Sequence, residues 1–297
     1  MLIETHFVPC ISEPQRLSDY LCGIFPHLPS RKSVKKAIRA GFIFVDGRRG
    51  YTGDWVLPDQ KIELMDLDET PIKIFEFEIK VIFEDDDIAV VHKPAGISVS
   101  GNQFRTVENA LLYNLKFSTK IDAFKKPRAV HRLDNQTSGL LLIAKTKQAR
   151  IDLGKQFEQR TIRKHYKAIV IGQINSKGKI DFEIDGKPSI SVFELERTVR
   201  SLKNDYLSLI NLYPLTGRTH QLRIHLSKFG FPILGDKLYG QEGLILKHKG
   251  LFLTAVSLEF IHPVTKIYHS IETEMPYKFG ALLAREQRRF DVYYSNQ

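Results

Sequence analysis

Near the N-terminus, Leu17, Tyr20, Leu21, Ile24 and Phe25 recur at helical spacing, and Pro26 closes the predicted helix. A second helix is predicted from Arg31, with Ser30 as its N-cap and Val34, Ala37 and Ile38 as its buried stripe. Gly41 is placed to end it in a left-handed conformation. Phe42 to Val45 reads as a strand, Asp46-Gly47 as a hairpin turn and Lys61 to Met65 as a later strand. Asp66, Asp68, Glu69 and Pro71 then form an acidic stretch read as a linker. Beyond it, Ile74 to Ile79 and Asp87 to His92 read as strands, and short apolar runs at Leu140 to Ala144, Tyr166 to Ile171 and Tyr206 to Leu212 alternate with fewer helices. This mixture predicts an α+β fold. A mixed, largely antiparallel sheet is expected in residues 73–297, preceded by a small α/β domain in residues 1–72.

Composition narrows the class without changing this picture. At 297 residues, 42% hydrophobic and 26% charged, the chain matches water-soluble globular proteins. Its longest strictly aliphatic run, Leu140 to Ala144, is far short of the ~18 apolar residues a membrane span needs. The opening residues lack the basic region and apolar core of a secretion signal, so a cytoplasmic location is expected. Cys10 and Cys22, the two cysteines, match no zinc or redox spacing and are read as reduced packing residues.

The formal net charge of +10 points to a polyanionic partner, and its distribution says more than its sum. Residues 14–50 carry eight basic side chains, among them Arg16, Arg31, Lys32, Lys35 and Arg39, against Asp19 and Asp46. Residues 145–168 again carry eight, against Asp152 and Glu158. Both segments could face phosphates, although solvated helix faces produce the same pattern.

Several motifs fail on spacing. Gly230 to Gly235 has P-loop glycine spacing but continues Asp236-Lys237 rather than Lys followed by Ser or Thr. His220 and His225, five positions apart, diverge by about 140° on a helix and cannot share a metal. Asp134 to Gly139 lacks the second copy an aspartic protease dyad requires. What remains is His131-Arg132-Leu133-Asp134-Asn135-Gln136-Thr137-Ser138-Gly139, a polar turn running into the apolar strand Leu140 to Ala144. Asp134 there is either a rigidly held nucleophile, a turn-capping residue or the partner of Arg132. In Pro214 to His225, Gly217 breaks a strand, Thr219 is expected to cap a helix, and Leu222, Leu226 and Phe229 form its buried stripe. Arg223 then lies on the flank, half shielded, where it can meet a carboxylate or remain a surface arginine. Strand alternation puts Tyr166, Ala168 and Val170 on one face, which suits a site tyrosine or a core one.

Together these segments resemble the RluA-like family of RNA pseudouridine synthases, with an S4-like RNA-binding domain in front. The resemblance rests on His131-Arg-Leu-Asp134 with Thr137-Ser-Gly-Leu140, on Tyr166, on Thr216-Gly-Arg-Thr-His-Gln-Leu-Arg-Ile-His225, and on Gly230-Phe-Pro-Ile-Leu-Gly-Asp-Lys-Leu-Tyr-Gly240. Lys93-Pro-Ala-Gly96 is similar to the family's first catalytic-domain turn, and Ser30-Arg31 with Gly41 to Gly47 carries the S4 likeness. The resemblance implies that Asp134 attacks the target uridine, that Arg223 pairs with it, and that Tyr166 stacks on the base and helps remove the C5 proton. It implies a flipped-out base with Arg132 in the gap, and no metal or organic cofactor. With the charge pattern, it makes Arg16, Arg31, Lys32, Lys35 and Arg39 candidate RNA-grip residues of the small domain. The expected partner is structured RNA, ribosomal ahead of transfer RNA, with no membrane role and a monomeric chain. A non-catalytic RNA-binding or ribosome-assembly protein and a nucleoside hydrolase are the rival readings.

Overall fold

The structure, a computed structural model, describes residues 2–11, 13–65, 74–241, 243–244 and 249–296. The acidic stretch from Asp66 to Pro71 lies outside the described residues. The chain divides into two compact units, Met1–Lys73 and Ile74–Gln297.

The first unit contains β1 (Leu2–Phe7), β2 (Gln15–Arg16), α1 (Leu17–Tyr20), α2 (Arg31–Ala40), β3 (Ile43–Val45), β4 (Arg48–Arg49), β5 (Trp55–Val56) and β6 (Lys61–Met65). Its sheet has the order β1-β6-β3-β4, and β2 pairs with β5. The expected first helix is a single turn. Its apolar stripe is real, since Leu17, Leu21 and Phe25 are buried, but Gly23 at φ +83° cannot continue a right-handed helix. The segment therefore wraps the core in turns. In α2 the Ser30 side chain accepts from the Ser33 N–H while the Ser33 hydroxyl accepts from Ser30, a reciprocal capping box. Gly41 ends the helix at φ +83°, and Val34, Ala37 and Ile38 face inward. Asp46 and Gly47 both have positive φ, as a tight β3–β4 hairpin turn of the mirror-image type requires.

The second unit contains β7 (Lys80–Glu84), β8 (Ile88–Lys93), α3 (Val107–Asn114), β9 (Ala123–Ala129), β10 (Ser138–Thr146), α4 (Lys147–Glu158) and β11 (Arg163–Ile171). It continues through β12 (Lys177–Ile180), β13 (Ser191–Ser201), β14 (Asp205–Pro214), α5 (Gln221–Lys228), β15 (Leu253–Ile261), β16 (Tyr268–Glu272) and α6 (Tyr277–Ser295). One ten-stranded sheet runs β12-β13-β14-β11-β15-β10-β8-β7, with β9 and β16 pairing off this path. Among the described strands only the β10–β15 pair is parallel, so the fold is α+β with a mixed, largely antiparallel sheet.

Alternation along the strands builds cores on both faces of the sheet. Leu141 and Ile143 of β10 and Tyr166, Ala168 and Val170 of β11 pack under α3 and α5. On the opposite face, Leu140 and Leu142 meet Ala149 and Leu153 of α4, and Ile169 and Ile171 join a core that includes Phe279, Leu282 and Leu283 of α6. Gly139 permits the parallel contact at the sheet centre. A Cβ there would lie 2.1 Å from the Ala255 carbonyl oxygen, and the residue has φ +117°.

Residues 74–79 form no strand, contrary to their alternating pattern. Phe75, Phe77 and Ile79 do turn inward onto the α3 core, but the backbone finds side-chain partners instead of a neighbouring strand. The Asn114 carboxamide accepts from the Ile79 N–H and donates to the Phe77 carbonyl, both at 2.8 Å.

Candidate active site

Between β9 and β10 the chain forms the polar turn that contains Asp134. Its fixed geometry comes from beneath. The His131 Nε2 accepts the Leu142 N–H at 3.0 Å, and its ring lies 5.0 Å from that of Phe157. Burial, reinforced by the nearby Lys164 charge, pushes this imidazole down to about 3, so it is neutral wherever the protein is folded near neutral pH. Within the turn, the Thr137 N–H donates to the Asp134 carbonyl at 3.0 Å. Lys93, fully buried, donates to the carbonyls of Pro94, Ile97 and Asn135 at 2.9, 2.7 and 3.0 Å, tying the turn to the end of β8. Desolvation lowers Lys93 to about 8, against the opposing pull of the Asp134 charge.

The facing wall comes from residues 214–223. Thr219 does not cap α5. His220 occupies the N-cap position at φ +55° without a side-chain cap, and the Gln221 side chain instead ties the helix start to the preceding loop. The Gln221 Oε1 accepts from the Arg218 N–H at 3.0 Å and from the Thr216 hydroxyl at 2.7 Å. Arg223, in the first turn, is buried at 5% exposure rather than half shielded. Its main partner is a residue to which the sequence assigned no role, Asp236. Arg223 Nε and Nη2 donate to the two Asp236 carboxylate oxygens at 2.7 and 2.8 Å, a fork-to-fork pair. Asp236 also accepts from the N–H groups of Leu238 and Tyr239. Burial alone would raise Asp236, but these four donors hold it below the usual carboxylate range.

The remaining Arg223 nitrogen, Nη1, reaches Asp134 Oδ2 at 3.4 Å. Asp134 is thus oriented by one long ion pair and keeps its other oxygen free of arginine. That oxygen faces His220 Nε2 at 3.8 Å, and His220 Nδ1 hydrogen-bonds the Tyr239 hydroxyl at 2.9 Å. Tyr239 in turn lies under the Arg223 guanidinium, 5.1 Å from it. His225 points elsewhere, toward the Phe182 carbonyl, so the two histidines do not converge.

These walls enclose a cleft of about 290 Å³, at the small end of ligand sites. Asp134, Tyr166 and Arg223 all line it, as does Arg132, which is exposed and not paired with Asp134. Burial, with the Asp134 charge beside it, moves the Tyr166 phenol well above its ordinary range, so it stays protonated. The proposed grip residues lie in the first unit. Arg31 pairs with Asp19 at 2.6 Å, Arg16 lies 3.9 Å over the Trp55 ring, and Lys32 and Arg39 are exposed with Lys35 partly so. Asp236, His220 and Tyr239 are the site residues that sequence reasoning missed. The signal for Asp236 and Tyr239 was the polar Gly235-Asp-Lys-Leu-Tyr-Gly240 run after the failed P-loop spacing, and that for His220 was its place in the Thr216 to His225 run.

A buried arginine clasped between two aspartates, in a cleft on a mixed sheet, defines an enzyme with a positioned carboxylate at its centre. Residues 87–228 match the RNA pseudouridylate synthase family. An uncharacterized RNA pseudouridine synthase of Aquifex aeolicus is 32% identical over 91% of this chain and 93% of its own length. Ribosomal large subunit pseudouridine synthase D of Pseudomonas aeruginosa is 33% identical over 91% of each chain. Among solved structures, human RNA pseudouridylate synthase domain containing 1 superposes with a TM-score of 0.57 at 26% identity, covering 71% of this chain and 87% of that one. The chain belongs to the RluA-like family of RNA pseudouridine synthases, which are isomerases. No described helix is long and apolar enough to cross a membrane.

Proposed function

We propose that this synthase isomerises specific uridines of structured RNA, ribosomal ahead of transfer RNA, with Asp134 as its nucleophile. The observation that carries the reading is the Arg223 clasp. Asp236 takes the guanidinium's bidentate face, so Arg223 steadies Asp134 through one nitrogen without locking both carboxylate oxygens. A carboxylate oxygen is then available to attack C1′ of the target ribose, breaking the C1′–N1 bond as its electron pair leaves with uracil. The uracil turns, C5 attacks C1′ and expels the carboxylate, the C5 proton is lost and N1 gains one. A cleft of this size excludes a stacked duplex, so the base must be flipped out, at a cost of a few kcal/mol. Arg132, exposed beside Asp134, fits the vacated stacking position. The protonated Tyr166 phenol suits stacking and hydrogen-bond donation. It favours a different group as acceptor of the C5 proton than the tyrosine the resemblance suggested.

The name of the Pseudomonas relative refers to the large ribosomal subunit, which supports ribosomal RNA as substrate. The S4 likeness of the first unit, its exposed cationic helix α2 and the overall charge support a grip on RNA shape, and we read the enzyme as cytoplasmic and monomeric. The test is tritium release from RNA labelled at uridine C5, with free uracil assayed in parallel. Release without free uracil is expected. Free uracil in step with release would instead mean glycosidic hydrolysis, and release from transfer RNA alone would overturn the ribosomal preference.

A further inference from the structure

The cleft contains two cations that the reaction above does not use. Lys164 stands on β11 two residues before Tyr166, and strand alternation turns both side chains to the cleft. A Cβ at Gly217 would lie 3.8 Å from the Lys164 Nζ, so the ammonium spans the cleft to the Gly217-Arg218 wall. Burial pulls Lys164 below the ordinary lysine range, and among the described residues no carboxylate or carbonyl meets it. Arg218 presents the matching feature, since its Nε is buried without a hydrogen-bond partner. The carboxylates of this region are already engaged. Asp236 binds Arg223, and Asp134 faces Arg223 and His220. A desolvated cation with no counter-charge costs stability, and an anion arriving between the two would remove that cost.

Building on the reading of this cleft as the RNA site, we propose that Lys164 and Arg218 form a clamp for one backbone phosphate adjoining the target uridine. A phosphodiester suits this pair. Arginine offers a planar fork to two non-bridging oxygens, and lysine adds a point charge from the opposite wall. Gly217, without a side chain, leaves room for the sugar-phosphate backbone between them. The clamp differs from the role given to Arg132. It fixes where the chain enters the cleft, whereas Arg132 fills the place the base has left.

The test uses K164Q, K164R and R218Q in the full chain. Binding is measured on poly(U), where slopes are read whether or not ribosomal RNA is the substrate, and turnover on unmodified large-subunit ribosomal RNA transcripts labelled at C5. K164Q and R218Q should each raise KM about tenfold, with the loss falling on KM rather than kcat. The slope of log affinity against log salt should flatten by roughly 0.7 for each, as expected when one phosphate contact to a single strand is lost. K164R should restore the slope. K164Q should also melt no lower than wild type, because it removes an uncompensated charge. An unchanged slope in K164Q, or a lower melting temperature with kcat falling instead of KM, would overturn the clamp. Wild-type poly(U) binding without turnover of the ribosomal transcript would overturn the substrate reading instead, and the slopes would still decide the clamp.

Discussion

Residues 14–50 and residues 145–168 carry the same number of basic side chains, and the fold places part of the second set differently from the first. In the first segment, Lys32, Lys36 and Arg39 project from α2 into solvent over a stripe of Val34, Ala37 and Ile38. In the second, Lys147, Arg150, Lys155 and Arg160 on and just after α4 are also exposed, but the cations on the strands, Lys164 apart, meet other groups of the protein. Lys145 is buried and donates to Glu84 at 2.7 Å, Lys167 meets Glu196 at 2.6 Å and Arg163 pairs with Glu259. Lys164 alone of the inward-facing members stays without a partner among the described residues. A run of positive charge is therefore a composition, not a surface. Where the helix is amphipathic the charge stays wet; where strands and loops converge, each cation is either matched or held for a ligand.

The difference breaks most severely at Asp236. Asp236→Asn removes the charge that compensates buried Arg223, and losing one partner of such a pair costs about 3–5 kcal/mol. The freed guanidinium would also turn to Asp134, the nearest remaining carboxylate, and turnover should fall by about a hundredfold because the nucleophile is displaced. Thermal melting and tritium release check both effects. Wild-type stability in this variant would mean that the clasp is not what holds Arg223.

A smaller effect sharpens the contrast through pH. The folded His131 imidazole stays neutral down to about 3, while an unfolded one protonates near 6.5. Between those values the unfolded state binds more protons, so this residue's contribution to stability is present above about pH 6.5 and is lost as pH falls toward 3. In His131→Gln, whose carboxamide oxygen can still accept the Leu142 N–H, acid unfolding should take up about one proton fewer. Identical proton uptake by the variant would contradict a neutral buried ring.

Much of this site was legible from the chain itself. Asp134, Tyr166 and Arg223 stand in polar segments interrupting apolar strands, and the two faces of β11 follow from simple alternation. Asp236 was not legible, because an aspartate after a glycine in a turn looks like a turn former, and its arginine is thirteen residues away on another element. His220 was weighed only as a metal ligand, since nothing local announces a left-handed residue at a helix start. Residues 74–79 misled in the other direction. Their alternation reports burial correctly, but a strand needs a backbone neighbour, and Asn114 on α3 takes that place.

The smallest effect on folding, and the cleanest on binding, belongs to α2. Replacing Lys32, Lys35 and Arg39 together with Gln should leave stability within about 0.5 kcal/mol, as for other surface changes. The slope of log affinity against log salt should flatten by roughly 2. An unchanged slope would mean that this helix face is merely solvated.

The central claim is that Asp134 performs the chemistry in a cleft whose shape other residues maintain. Its most direct test is Asp134→Asn, assayed for tritium release and RNA affinity on the same labelled RNA. The near-isosteric amide keeps the shape and loses the nucleophile, so turnover should vanish while affinity stays close to wild type. Turnover at the wild-type rate would contradict the account.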